Sequence, residues 1–215
     1  MKITEIKPRR KRLSAVYIDG EFAVSLDTQT LIENRFDVGR EIDDEDLHEI
    51  IKLSNERRAK EKALWLLSYR EDSKKELEDK IRRTADEDSA QKAVDRMEEL
   101  GLVDDERFAR HYAEKLLNSK HMSKRGIAFE LTRKGIDKET AEQLCDELDI
   151  DVHEQIRAVI EKKYRNLSDE KVKRRAVAAL QRLGYRWDDI KSVLSEYNED
   201  ETDEFYSWYC ITRLP

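Results

Sequence analysis

Ser73, Leu77 and Ile81 return 50 residues later as Ser123, Ile127 and Leu131, and Ala176 and Leu180 continue the pattern 49 residues after the second set. In the last copy Gly184-Tyr185 falls where Gly135-Ile136 stood. Self-similarity at such a period restricts the chain to tandem small units, because a unit of this length cannot bury its apolar face without a neighbour. Apolar residues at spacings of three to five make the units helical. We place three-helix units at about 57–103, 104–150 and 151–197.

Two other segments stand outside the repeat. Residues 13–26, LSAVYIDGEFAVSL, read as a β-hairpin, because Asp19-Gly20 suits a two-residue turn whose central residues both need positive φ. Counting outward pairs Tyr17 with Phe22, Ala15 with Val24 and Leu13 with Leu26 on one apolar face. Leu31, Ile32 and Phe36 offer it a surface to pack on, and Leu47, Ile50, Ile51, Ser54, Ala59, Ala63, Leu66 and Leu67 trace one face of a long helix after Asp43. Residues 1–56 are therefore a hairpin subdomain with the start of that helix. Residues 198–215 form a tail, acidic first and aromatic after.

Charged residues make up 42% of the 215, against roughly 25% in ordinary domains, which favours thin helical layers over one wide core. The longest apolar runs, Ala63–Leu67 and Ala176–Leu180, are far shorter than the ~20 residues of a membrane span. The N-terminus MKITEIKPRRKR has no apolar signal stretch. These features predict a cytoplasmic protein with no membrane partner. Cys145 and Cys210 lack metal or redox spacing and read as free thiols.

The net charge of −7 conceals alternating bands. Residues 107–134 carry +6, residues 135–154 carry −7, and residues 155–191 carry +6. Basic bands of this kind suit a polyanion or a partner with its own alternating charge.

GLVDDERFARHY, residues 101–112, holds the densest set of reactive side chains. As a metal site it would need Asp104 and Asp105 on one ion, yet neighbours on a helix project about 100° apart. As a joint it is better explained. Gly101 closes one helix in the left-handed conformation with Leu102 as its apolar contact, Asp104 caps the next, Asp105 and Glu106 sit in its first turn, and Val103 staples to Phe108. No phosphate-binding glycine loop, nucleophile elbow or paired-histidine zinc spacing occurs anywhere. The chain reads as no enzyme, with neither cofactor nor metal. Ser73 with Glu76 forms a capping box and Asp137 is an N-cap, whereas Arg186, at the equivalent place in the third unit, cannot cap. Either that helix starts near Asp188 or the arginine serves another purpose.

SKKELEDKI, LGLVDDERFARHY, RGIAFELTRKGID and ALQRLGYRWDDI follow one another in this order. Through them the chain resembles the RecX family of bacterial regulatory proteins over about residues 1–197. The resemblance implies a mainly α fold of tandem three-helix repeats in an elongated curved array. It also implies a modulator, usually an inhibitor, of the RecA recombinase in DNA recombination, repair and the SOS response. Such a protein lies in the groove of the RecA filament on single-stranded DNA and suppresses ATP hydrolysis, strand exchange and co-protease activity. A direct DNA-binding module acting without RecA on single- or double-stranded DNA is the alternative. In either case we expect a monomer. The candidate RecA- or DNA-binding residues are Lys124, Arg125, Arg133 and Lys134 in the second unit, and Lys171, Lys173, Arg174, Arg175, Arg182 and Arg186 in the third. The helices show no aromatic platform that would mark sequence-specific readout of single strands. Arg186 stands where the family has a capping serine, and the tail has no counterpart in it.

Overall fold

In the computed structural model, residues 1–10, 12–164 and 167–197 are described, so the tail at 198–215 and Cys210 lie outside the described residues. Three strands come first: β1 (Ile3–Pro8), β2 (Leu13–Ile18) and β3 (Glu21–Asp27) form an antiparallel sheet in that order. Asp19 and Gly20 both take positive φ, 49° and 91°, as the Asp-Gly turn demands. The register starts as counted, Tyr17 opposite Phe22, and then slips at an irregularity between Val16 and Tyr17. Beyond it Val16 faces Val24, Ala15 faces Ser25, Ser14 faces Leu26 and Leu13 faces Asp27. A bulge of this kind moves every later side chain to the other face. It buries Val16 and Leu26 together with Ile3, Ile18, Leu31, Phe36, Ile42 and Ile50 in the first core. Ile32, expected to help cover the sheet, is 63% exposed.

A short helix α1 (Thr28–Glu33) leads to α2 (Asp44–Leu67), the long helix read from the sequence. Asp43 and Asp46 close its start as a reciprocal capping box. Ser54, fully buried, accepts the backbone N–H of Asp27 at 2.8 Å, which pins the end of β3 to the helix. The first half of α2 belongs to the sheet's core, and its second half supplies Ala59 and Ala63 to the next one. That core adds Leu77 and Ile81 from α3 (Lys74–Ile81), Ala90, Ala93, Val94 and Met97 from α4 (Glu87–Glu99), and Val103.

Next come α5 (Asp105–Lys120), α6 (Lys124–Arg133), α7 (Lys138–Glu147), α8 (Val152–Lys163), α9 (Glu170–Arg182) and α10 (Trp187–Glu196). Backbone contacts divide the chain into two compact units, one ending at Phe108 and one starting at Ala109. In the second, Ile127 and Leu131 of α6 are fully buried, as Leu77 and Ile81 are in the first. Ile156, Val159, Ile160, Ala176, Val177, Leu180, Tyr185, Ile190, Val193 and Leu194 make its largest cluster. The fold is thus mainly helical, with a small three-stranded sheet at the N-terminus.

The segment at 101–108 is a joint. Gly101 takes φ 68°, and the Leu102 N–H returns to Met97 O at 2.9 Å. Leu102 itself is 43% exposed, so the apolar contact falls to Val103, buried at 2%. Asp104 accepts the Arg107 N–H at 3.0 Å as a cap. Asp105 does something the sequence hides: it accepts the Lys74 N–H at 2.8 Å, holding the start of α3. Arg107 pairs with Glu71 at 2.9 Å. The two carboxylates are therefore turned to two different helices.

Candidate functional site

The second unit contains a contact built by two glycines. Ser123 caps α6, its Oγ accepting the Gly126 N–H at 3.1 Å, and the same hydroxyl donates to Leu183 O at 3.1 Å. The Ser123 N–H also donates to Leu183 O, at 3.1 Å. Gly184, with φ 92°, lies so close that a Cβ on it would stand 2.6 Å from both Gly126 N and Ser123 Oγ. Tyr185, buried, donates its hydroxyl to His121 O at 2.7 Å, and burial pushes that phenol well above its ordinary range, so it stays a donor. Together these bonds clamp the turn after α9 onto the start of α6.

Arg182 and Arg186 flank that turn. The clamp brings them beside the outer face of α6, where Arg125 and Phe129 stand one helical turn apart. A groove of about 640 Å³ on one side is lined by Lys124, Arg125, Ala128, Phe129 and Arg186, with α7 opposite. A second, of about 380 Å³, lies on the other side of the same ridge and is lined by Arg125, Phe129, Arg182, Gly184 and Tyr185. Phe129 is 67% exposed. It lies 200° around the helix from both Ile127 and Leu131, so burying those two turns it outward. The sequence analysis did not single out this residue, although helical arithmetic alone places it on the outer face.

The ten candidate cations separate into groups. Arg125, Arg182 and Arg186 adjoin Phe129, and none has a carboxylate in ion-pair reach among the described residues. Lys124 is close by but donates to Asp146 O at 3.1 Å. Arg133 pairs with Glu130 at 3.0 Å, and Lys134 lies 5.5 Å from the centre of the Tyr112 ring. Lys171, Arg174 and Arg175 are exposed along α9, Arg174 paired with Glu170 at 3.1 Å. Lys173 is withdrawn from the set. It shares the buried stripe of α9 with Ala176, Val177 and Leu180 and is only 3% exposed, so no polyanion reaches it.

In the first unit many of the cations are paired. There Arg57, Arg70, Arg82, Lys92, Arg96 and Arg107 each meet a carboxylate. Arg70 Nε stands 3.0 Å from the buried Asp72 Oδ1, though off the line a hydrogen bond needs.

Arg186 also resolves the capping question. Helix α10 starts at Trp187 with Arg186 at its N-cap, and Arg186 makes no side-chain cap bond, while Asp27, Asp43, Ser73, Asp86, Ser123, Asp137, Asp151 and Asp169 all do. Its backbone, φ −75° and ψ 151°, already suits a capping serine. Arg186→Ser is expected to raise stability by about 1 kcal/mol, read as a later midpoint in urea. An unchanged midpoint would contradict a missing cap. Keeping arginine here sacrifices stability for a guanidinium beside Phe129.

Cys145 lines the larger groove from beneath, buried, with its thiol pushed up to about 11 by desolvation. It is poorly suited to nucleophilic work at neutral pH. Among the described residues no helix is long and apolar enough to cross a membrane.

Comparison with known proteins places this architecture. Residues 59–97, 104–144 and 149–194 match the models of the first, second and third three-helix domains of RecX. Regulatory protein RecX of Caldanaerobacter subterraneus is 32% identical over 170 residues, 76% of this chain and 84% of that one. Regulatory protein RecX of Clostridium tetani is 28% identical over 204 residues, 91% and 94% of the two chains. A crystal structure of regulatory protein RecX superposes with a TM-score of 0.58 at 21% identity, covering 90% of this chain and 98% of that one. RecX from Lactobacillus salivarius gives 0.50 at 24%, covering 66% and 96%, and both structures speak to the fold alone. With three domain models matched in order along the chain, the protein belongs to the RecX family of regulatory proteins.

Proposed function

We propose that the protein binds the RecA recombinase, or its filament on single-stranded DNA, and inhibits ATP hydrolysis, strand exchange and co-protease activity. It acts by occupancy rather than turnover, in DNA recombination, repair and the SOS response. Family membership supports this reading. The observation that carries it is the set of unpaired guanidiniums, Arg125, Arg182 and Arg186, around one exposed helix face. A filament groove presents phosphates and acidic side chains, and unneutralised arginines are suited to both. Lys171 and Arg175 extend the basic face along α9.

The test is DNA-dependent ATP hydrolysis by the cognate recombinase, expected to fall as the protein approaches stoichiometric amounts. Unchanged hydrolysis at several-fold excess would overturn the proposal. A module that binds DNA without the recombinase is the second reading, favoured by the same unpaired cations. It would bind DNA tightly by itself and lose that binding steeply as salt rises.

A further inference from the structure

We infer that the Phe129 ridge of α6 is a binding site for single-stranded nucleic acid, one base stacking on the phenyl ring while adjoining phosphates meet Arg125, Arg182 and Arg186. The inference deepens the proposed function, on which it rests for the relevance of single strands.

Phe129 stands exposed on α6 between two grooves in which cations are in excess. Two grooves share this ring; their charged lining is Lys124, Arg125, Lys138, Arg182 and Arg186 against Glu130, Glu142 and Asp146, so cations outnumber acids. Among the described residues after Ala109, the other exposed large hydrophobic residue is Tyr197, at 39% against 67% for Phe129. An exposed ring on a face that also carries unpaired guanidiniums suits single strands without regard to sequence, since every base has a π-face and every nucleotide a phosphate. A duplex keeps its bases stacked on one another and has none to place on the ring.

The ridge is also preformed. Arg125 and Phe129 share one helix face, and Arg182 and Arg186 are set by the Ser123–Leu183 and Tyr185–His121 hydrogen bonds described above. Arg186 occupies the cap position of α10 without spending its side chain on a cap bond. Neither Arg125, Arg182 nor Arg186 has to break an ion pair with a described residue to meet a phosphate.

The experiment uses the full chain and a fluorescent oligo-dT, with a duplex of equal length as comparator and recombinase binding without DNA measured in parallel. Phe129→Ala is expected to weaken oligo-dT binding by at least about fivefold, the low end for one stacked base, with an unchanged far-ultraviolet circular dichroism spectrum. Phe129→Trp should keep the affinity and show indole quenching on addition of oligo-dT. Replacing Arg125, Arg182 and Arg186 together by Gln should lower the salt slope by about two. Wild-type affinity for oligo-dT in Phe129→Ala would overturn the inference. If that variant instead loses only recombinase binding, the ring is a protein anchor; the inference then fails and the proposed regulatory function stands. If the wild-type chain binds the recombinase and no oligo-dT, the inference likewise fails alone.

Discussion

Replacing Gly126 by alanine should destabilise the second compact unit by about 3 kcal/mol, despite alanine being the better helix former by roughly 1 kcal/mol. Steric contact decides the sign. A Cβ at Gly126 would lie 2.2 Å from Leu183 O and 3.0 Å from Leu183 C, both backbone atoms, and 3.1 Å from the end of the Met122 side chain. Methionine can swing aside, but the Leu183 carbonyl is held by the Ser123 N–H and hydroxyl and cannot retreat without losing both bonds. Since these bonds also set Arg182 and Arg186 beside α6, oligo-dT binding should fall with stability. Gly101→Ala is the contrast: it carries the strain of positive φ, which Gly126 lacks, and nothing lies within 4 Å of its added methyl. Its cost should be limited to about 1–2 kcal/mol. Urea titration of the two variants separates close approach from backbone conformation, and equal losses would contradict the clamp.

Leu77→Ala should cost about 3 kcal/mol in the same measurement, within the 2–5 kcal/mol range for truncating a buried leucine. Leu77 is fully buried where α2, α3 and α4 meet. Around it the helices present Ala59, Ala63, Ala90 and Ala93, all with no exposed surface. Small residues bring helix backbones close together, leaving Leu77, Ile81 and Met97 to fill the remaining space. The backbones have little freedom to collapse further, so the cavity left by alanine stays open. Leu100→Ala, at a residue 50% exposed, is expected to stay within about 0.5 kcal/mol of wild type. A Leu77→Ala protein equal to wild type in urea would contradict the packing described.

The parts of the fold legible in the sequence are those written in local periodicity. The recurrence of Ser73, Leu77 and Ile81 at Ser123, Ile127 and Leu131 marks side chains that are buried in both places, each serine capping its helix. Asp-Gly gave the turn of the hairpin, and Asp43 gave the start of α2. What escaped depends on contacts between distant segments. Strand β1 buries only Ile3 fully and half-buries Ile6, so its alternation is too faint to announce a strand. The slip between Val16 and Tyr17 is favoured by a core that seats Val16 and Leu26 together, which no pairwise count from the turn can foresee. Asp105 reaches the Lys74 N–H across 31 residues, a distance beyond any capping motif.

Charge was the least legible property of the candidate site. A basic band counts every lysine and arginine alike, yet Lys173 is inside, Arg133 and Arg174 are paired, and Arg125, Arg182 and Arg186 are left without carboxylates among the described residues. Helical spacing does carry part of this distinction. Lys173 precedes Ala176 by three and Leu180 by seven, which sets it on the apolar stripe, and Phe129 falls opposite Ile127 and Leu131. The approach of Arg182 and Arg186 to α6 requires the Gly126–Gly184 contact, and that exists only in the folded chain.

The central claim is that this protein restrains the recombinase through the arginines around α6. DNA-dependent ATP hydrolysis by the cognate recombinase, with wild-type protein and with Arg125, Arg182 and Arg186 replaced by Gln, tests it most directly. Wild type is expected to suppress hydrolysis at near-stoichiometric amounts, and the triple variant to require a large excess or fail altogether. Wild-type protein that leaves hydrolysis unchanged at several-fold excess, or a folded triple variant that suppresses as well as wild type, would contradict it.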